Sequence, residues 1–316
     1  MKILLTDKAT LISNNDLSLE IFEKFGEVCE YGVISREELL KEVTDTDILL
    51  CNKTIIDREV LAKAKNLKYI GTFATGYNNI DLVAANEKKI TVCNAPSYST
   101  NAVAQQVMAY ILAHYTKIYE YNNFVKNDGW KNSKVFSPLV FPTGEVFGKT
   151  LGIVGFGSIG KAVAKAAIGL GMNVLVYTRT PKNDTSVEFV EFQELLKRSD
   201  VLTLHCPLNN ETENLMNRES FKKMKDGAFF INTSRGGTVD EESLKQALLS
   251  GKLSGAAIDV LKQEPMPKDC DLVDIDNLII TPHSAWAPLD TRKRLVALVA
   301  ENIEAFLNGK PQNVVN

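Results

Sequence analysis

Leu151-Gly-Ile-Val-Gly155-Phe-Gly157-Ser-Ile-Gly160-Lys161 decides the fold. A short apolar run is followed at once by glycines in a G-x-G-x-x-G spacing. Ile159, Val163, Ala167 and Leu170 then recur at helix-face spacing as far as Gly171, and a second apolar strand, Asn173–Tyr177, follows. Strand, tight turn, helix, strand is the context in which this spacing reads as a dinucleotide-binding fingerprint rather than as an ordinary strand-to-helix turn. Gly155 permits the turn, Gly157 lets the backbone approach a pyrophosphate, and Gly160 lets the helix pack against its strand. The helix starts at Ser158 and Ile159, where free N–H groups and the helix dipole favour an anion.

The rest of the composition frames this motif. A chain of 316 residues fits about two domains, and 45% hydrophobic residues suffice for sizeable cores. The net charge is −3 and no Lys/Arg block stands out, which argues against nucleic acid or an anionic membrane surface as the partner. The start, Met1-Lys-Ile-Leu-Leu5-Thr-Asp7, turns polar too soon for a signal peptide, and no stretch is long and apolar enough to span a bilayer. The five cysteines are Cys29, Cys51, Cys93, Cys206 and Cys270. They stand singly, without C-x-x-C, which reads as reduced thiols in a cytoplasmic protein with no zinc site.

Apolar strands alternate with helical patterns nearly end to end, the signature of α/β architecture with parallel sheets. Strands are expected at Lys2–Leu5, Ile48–Cys51, Tyr69–Phe73, Thr91–Cys93, Val201–His205, Ala228–Asn232, Gly255–Asp259 and Leu278–Thr281. One helical pattern runs from about Asn101 to Asn123. An irregular stretch with two prolines and several aromatics follows, from Asp128 to Gly148; a loop that long usually wraps a neighbour or covers an interface. A last helical pattern spans Asp290–Leu307, and its period leaves open which domain it joins.

Three segments place polar residues beyond strand ends, where doubly wound sheets hold their ligands. Arg235 lies in Asn232-Thr233-Ser-Arg235-Gly-Gly237 and is either a carboxylate-binding fork or a surface arginine. Asp259 ends a strand, and Glu264 precedes Pro265, where a solvated loop carboxylate is the plain alternative. His283 follows a buried-looking strand in Thr281-Pro-His283-Ser-Ala285-Trp286. The other histidines read differently. His114 is a structural or interface residue within the long helix, and His205 is a core histidine more readily than a cofactor-edge one. His283, a carboxylate and an arginine beside a nicotinamide site form a coherent set. Reduction of a 2-keto acid needs a hydride donor, a proton donor and a cation for the carboxylate. Imidazole suits the proton transfer, and a neighbouring Glu favours its charged form.

Taken together, these residues resemble the D-2-hydroxyacid dehydrogenase family over essentially the full length. The resemblance rests on Gly155-Phe-Gly-Ser-Ile-Gly160, His205-Cys206-Pro207-Leu208 with Thr212, Asn232-Thr-Ser-Arg-Gly236, Asp259 with Glu264-Pro265, and Pro282-His283. Gly71-Thr-Phe-Ala-Thr75-Gly76-Tyr-Asn-Asn-Ile-Asp81 is similar to the family's substrate loop. Tyr98-Ser-Thr100, His283-Ser-Ala-Trp286 and Lys310-Pro-Gln-Asn-Val-Val-Asn316 look most like glycerate dehydrogenases, also called hydroxypyruvate reductases. The resemblance implies two doubly wound parallel-sheet domains. A Rossmann cofactor domain (100–285) is inserted in a flavodoxin-like substrate domain (1–99 plus 286–316), with a dimerisation arm near 101–147 and an active site in the cleft. It implies that Arg235 binds the substrate carboxylate and keto oxygen, that His283 handles the proton, and that Glu264 supports His283. Backbone N–H groups of Thr75 and Gly76 would cradle the carboxylate and Asp259 would meet the nicotinamide amide. Cys206, Pro207, Thr212, Thr233, His283 and Ala285 would line the dinucleotide. Trp286 is read as a wall against large substrates, and Lys53 either meets a polar C3 substituent or is an ordinary solvated lysine. A homodimer acting on a small 2-keto or 2-hydroxy acid is expected.

One departure concerns the cofactor. About twenty residues past the glycines, NAD-specific folds place Asp or Glu on the ribose 2′-hydroxyl. Here the strand runs out as Tyr177-Thr178-Arg179-Thr180-Pro181-Lys182, without a carboxylate. Thr178 and Arg179 suit a 2′-phosphate, which leans the expectation to NADP; Arg179 stacked on adenine with NAD bound is the alternative. Other readings stand beside this one. A D-lactate dehydrogenase shares the chemistry. A dinucleotide-sensing corepressor shares the fold, though no partner-binding extension is evident. Glu264 argues against formate dehydrogenases, which resemble this family but carry Gln there, and the short C-terminal end argues against an added regulatory domain.

Overall fold

The computed structural model describes residues 1–180 and 184–316. Pro181, Lys182 and Asn183, which include the end of the stretch read for cofactor choice, lie outside the described residues. The chain divides into two compact units, Met1–Ser99 with Trp286–Asn316, and Thr100–Ala285.

In the first unit, β1 (Lys2–Leu5), β2 (Glu27–Glu30), β3 (Ile48–Cys51), β4 (Tyr69–Thr72) and β5 (Thr91–Cys93) form a parallel sheet in the order β2-β1-β3-β4-β5. This is the flavodoxin-like order. Alternate residues serve opposite faces. Ile3, Leu5, Ile48 and Leu50 pack with Leu295, Val299 and Ile303 of the C-terminal helix Leu289–Leu307. Leu4, Leu49, Ile70 and Val92 pack against α2 (Arg58–Lys63) and α3 (Leu82–Glu87), which follow α1 (Arg36–Glu42) in the chain. The three short helices are started by local chemistry. Ser35 and Glu38 form a capping box, and Asp57 and Asp81 accept from Val60 N and Ala84 N.

The second unit opens with α4 (Thr100–Thr116) and α5 (Ile118–Lys126). Next come β6 (Thr150–Val154), α6 (Ser158–Gly169), β7 (Asn173–Tyr177), β8 (Glu188–Phe189), α7 (Phe192–Arg198), β9 (Val201–Leu204) and α8 (Arg218–Lys223). The unit closes with β10 (Ala228–Asn232), α9 (Glu241–Leu249), β11 (Leu253–Ile258) and β12 (Leu278–Ile280). All its strand pairs are parallel, in the order β12-β11-β10-β9-β6-β7-β8. The chain runs outward from β6 to β8, then crosses back to β9. That reversal leaves a crevice at the carboxyl ends of β6 and β9, the place where such sheets bind ligands. Leu151 and Ile153 bury one face with Val107, Ile111, Val163 and Ala167, while Val154, Leu202 and Phe230 bury the other with Leu195, Phe221 and Leu244. Each fully buried aliphatic side chain contributes about 1.5–3 kcal/mol.

Doubly wound architecture is as read from the sequence, but details differ. The pattern from Asn101 to Asn123 is two helices, because Lys117 takes a left-handed φ of 54° between α4 and α5. Leu170 lies just past α6 and is exposed; the buried face is Gly160, Val163, Ala164 and Ala167. β2 and β8 carry Glu at exposed positions and are edge strands, so no apolar run announced them. His114 is structural. Its ring stacks on Phe229 with centroids 4.0 Å apart, Nε2 lies 3.0 Å from Ser254 Oγ, and burial, with Lys117 adding to it, pushes its pKa down to about 4. Among the described residues no helix is long and apolar enough to cross a membrane.

Candidate active site

The turn after β6 needs its glycines for three different reasons. Gly155 has φ +94°, and a Cβ there would stand 2.7 Å from His205 O. At Gly160 a Cβ would stand 2.2 Å from Gly155 O, so close packing of α6 on the turn forbids a side chain. Around Gly157 no described residue beyond its own neighbours in the turn and helix lies within 4 Å of that position, which is the open space a closely approaching ligand needs. α6 also begins without a side-chain cap, whereas α8 and α9 are capped by Asn217 and Asp240. Its first N–H groups, at exposed Ser158 and half-buried Ile159, are the kind of donors that suit an anion.

Further lining comes from the loops after β7, β9 and β10. Thr178 is half-buried and Arg179 exposed; Arg179 Nη1 lies 3.4 Å from Glu211 Oε2, a carboxylate brought in from the loop after β9. Within that loop Thr212 Oγ1 donates to Pro207 O at 2.6 Å, and Cys206 is buried, its thiol pushed up to about 11 by burial. His205 is half-buried with Nε2 3.1 Å from Thr203 Oγ1, and burial pushes its pKa down to about 3, which suits a neutral, satisfied histidine. Thr233 Oγ1 is buried with no hydrogen-bond partner among the described residues. A buried orphan hydroxyl is costly unless a ligand satisfies it. The bare helix start, the space at Gly157 and this hydroxyl fit a dinucleotide.

The chemistry-bearing residues gather at the ends of β10, β11 and β12. Asn232 shapes the first loop: its Oδ1 accepts from Ser234 N and Oγ, and its Nδ2 donates to Arg235 O. Arg235 is half-buried, with Nη1 donating to Ser234 O at 2.7 Å, and no carboxylate of its unit pairs with it among the described residues. Gly236 has no room for a Cβ, which would stand 1.9 Å from Leu261 C. That contact draws the Leu261–Glu264 loop against the Arg235 loop. Glu264 Oε1 accepts from Leu261 N at 3.0 Å, and Oε2 lies 2.7 Å from His283 Nδ1. A carboxylate only accepts, so Nδ1 carries the proton and Nε2 is left for chemistry.

Asp259 organises the His283 loop. Its carboxylate accepts from Ser284 N (2.8 Å), Ala285 N (3.0 Å) and Thr281 Oγ1, and its carbonyl accepts from His283 N (2.8 Å). His283 has φ 52°, a left-handed conformation uncommon outside glycine, and these bonds hold it there. Burial pushes the Asp259 pKa up, against the hydrogen bonds from Thr281, Ala285 and Ser284 and the charge of His283.

Lys53, Thr75, Gly76 and Trp286 belong to the first unit. Lys53 N donates to the buried Asp7, whose carboxylate also accepts from Asn52 N and Thr54 N and fixes that loop. The Thr75 hydroxyl and carbonyl engage Ala95 O and Asn94 Nδ2, while the N–H groups of Thr75 and Gly76 have no partner in that unit among the described residues. Trp286 meets Tyr98 edge-on, with centroids 6.2 Å apart. Asn232, Thr281, Asp7 and Glu211 are supporting groups beyond the residues that the sequence singles out. The register places Thr281: Ile258 pairs with Ile280, so the next residues, Asp259 and Thr281, are neighbours across β11 and β12.

The family model for the D-isomer specific 2-hydroxyacid dehydrogenase NAD-binding domain matches residues 108–285. The chain is 41% identical to a hydroxypyruvate reductase of Blautia hydrogenotrophica, with all of both chains covered. It is 39% identical to a glycerate dehydrogenase of Methylorubrum extorquens, covering 99% of this chain and 98% of that one. Among solved structures, an acyclic imino acid reductase in complex with NADPH and D-Arg superposes with a TM-score of 0.89 at 32% identity, each chain fully covered. The chain belongs to the D-isomer specific 2-hydroxyacid dehydrogenase family. Its second unit is accordingly a nicotinamide dinucleotide-binding domain.

Proposed function

We propose that this chain interconverts a small 2-keto acid and its D-2-hydroxy acid, with hydroxypyruvate and D-glycerate, or glyoxylate and glycolate, as substrates. The observation that carries the reading is the 2.7 Å contact of Glu264 with His283 Nδ1, on a loop beyond the same sheet as the dinucleotide fingerprint. When bound, the dinucleotide supplies or takes up the hydride. His283 gives a proton from Nε2 to the keto oxygen in reduction and takes it back in oxidation. Glu264 holds the ring in place through Nδ1. Arg235 offers a guanidinium fork to the substrate carboxylate and polarises the keto oxygen as charge builds on it. The N–H groups of Thr75 and Gly76 are the second carboxylate-binding feature, Lys53 answers a polar C3 substituent, and Trp286 limits substrate size. Relatives named hydroxypyruvate reductase, glycerate dehydrogenase and glyoxylate reductase support the substrate class.

Our reading of the cofactor leans to NADP(H). Thr178 and Arg179 are what a 2′-phosphate recruits, and the Arg179–Glu211 pair, with side chains 80% and 68% exposed, is weak enough for a phosphate to displace. The protein is read as a cytoplasmic homodimer. Phe136, Leu139 and Phe147 are 91%, 88% and 71% exposed on the stretch after α5, an apolar surface that a second copy would cover. The five cysteines are unpaired, in keeping with a reducing compartment. The test is a panel of 2-keto acids with NADH and NADPH. Hydroxypyruvate or glyoxylate should give the highest kcat/KM; higher values for phenylpyruvate or 2-ketoisocaproate would overturn the substrate assignment, and no turnover with any acid would overturn the enzymatic one.

A further inference from the structure

A chain of two hydroxyls leads from the interior of α4 to Asp259. Tyr110 is 3% exposed, and its OH lies 2.5 Å from Thr281 Oγ1. Thr281 Oγ1 in turn lies 2.5 Å from Asp259 Oδ1. The end of the chain sets its direction. A carboxylate only accepts, so the single hydroxyl proton of Thr281 goes to Asp259, and the Thr281 oxygen receives the proton of Tyr110. Asp259 is 2% exposed, and among the described residues of its unit no lysine or arginine pairs with it. Its charge therefore rests on hydrogen bonds: Thr281 and Ser284 N on Oδ1, and Ala285 N on Oδ2. Hydrogen bonds in series polarise one another, so the Tyr110 donor strengthens the one Thr281 gives. About four acceptor positions exist on a carboxylate; among the described residues of its unit three are occupied, which leaves one on Oδ2 for a ligand N–H.

We propose that Tyr110 and Thr281 are positioning residues that keep Asp259 ionised and oriented for the dinucleotide while it grips the backbone of residues 283–285. The proposal rests on the dehydrogenase reading, yet it concerns binding and not turnover. The titratable groups facing Asp259 are His283 on the adjoining loop and Tyr110 from α4, with Tyr119 of α5 beyond Tyr110. Removing the Thr281 donor takes a charge-assisted bond from a buried carboxylate, which then protonates at higher pH.

The test is a fluorescence titration of NADH and of NADPH from pH 5 to 9, alongside thermal unfolding, on Thr281→Val, Thr281→Ser, Tyr110→Phe and Thr281→Val/Tyr110→Phe. Thr281→Val should weaken binding at neutral pH roughly tenfold, as expected for one charge-assisted bond, and move the acid-side loss of affinity to higher pH. Thr281→Ser should restore both. Tyr110→Phe should act in the same direction by a smaller factor, about threefold for a neutral bond at second remove, and add nothing once Thr281 is Val. Lower thermal stability with an unchanged pH profile for affinity would overturn the proposal, as would additive losses in the double variant. Because the titration needs no keto acid, a failed substrate panel and a failed hydroxyl chain are told apart.

Discussion

Glu264→Gln isolates the charge of the group behind His283 while preserving its size. In the parent Oε1 accepts from Leu261 N at 3.0 Å and Oε2 from His283 Nδ1 at 2.7 Å. An amide has only one acceptor oxygen, so glutamine must give up either the loop or the histidine. If it keeps the histidine, the contact is neutral and the imidazolium loses its counter-charge. Two unit charges about 4 Å apart at an effective dielectric constant near 20 attract by roughly 4 kcal/mol. The His283 and Glu264 side chains are 25% and 35% exposed, and solvent screening reduces this to about 1–2 kcal/mol. Oxidation of the hydroxy acid builds positive charge on the ring as it takes up the proton, so this loss should slow it about tenfold, a factor that corresponds to 1.36 kcal/mol. Steady-state rates at saturating hydroxy acid and dinucleotide measure this. Turnover equal to the parent's would refute the coupling of Glu264 to His283.

Four other expectations follow from the same geometry. His283→Ala should lower turnover by about 10²–10⁴-fold while dinucleotide affinity measured by fluorescence stays near the parent's; parent-level turnover would remove His283 from the mechanism. Arg235→Lys should raise KM and lower kcat together, because an ammonium cannot reproduce the fork, and unchanged values for both would make Arg235 a bystander. Arg179→Ala should harm NADPH use more than NADH use; equal losses would favour adenine stacking over phosphate binding. For His114, whose folded pKa lies near 4 against about 6.5 unfolded, stability is fully present above pH 6.5 and is lost as pH falls toward 4. That amounts to at most ~2 kcal/mol by pH 5, so thermal melts of His114→Asn should depend less on pH between 7.5 and 5 than those of the parent, and equal pH dependence would refute it.

Much of this site was legible in the chain because its signals are local. The glycine spacing, the apolar runs at β6 and β7 and the polar residues just past strand ends all follow from short-range sterics and from which face of a strand must be buried. Arg235, Glu264 and His283 stood out as residue types whose chemistry belongs together, even with 19 residues separating Glu264 from His283. What the chain could not announce depends on which elements become neighbours. Lys117 breaks a helix whose apolar pattern continues through it, and Glu211 reaches Arg179 from 32 residues away. Gly236 is needed for the space taken by the Leu261–Lys262 backbone, not for its own conformation. Tyr110 reads as one more apolar-face residue of α4; only the packing of that helix beside β12 brings its hydroxyl to Thr281, 171 positions away. Periodicity records which side of an element is buried, whereas partner and distance are set when the sheet order and helix packing bring distant segments to the same place.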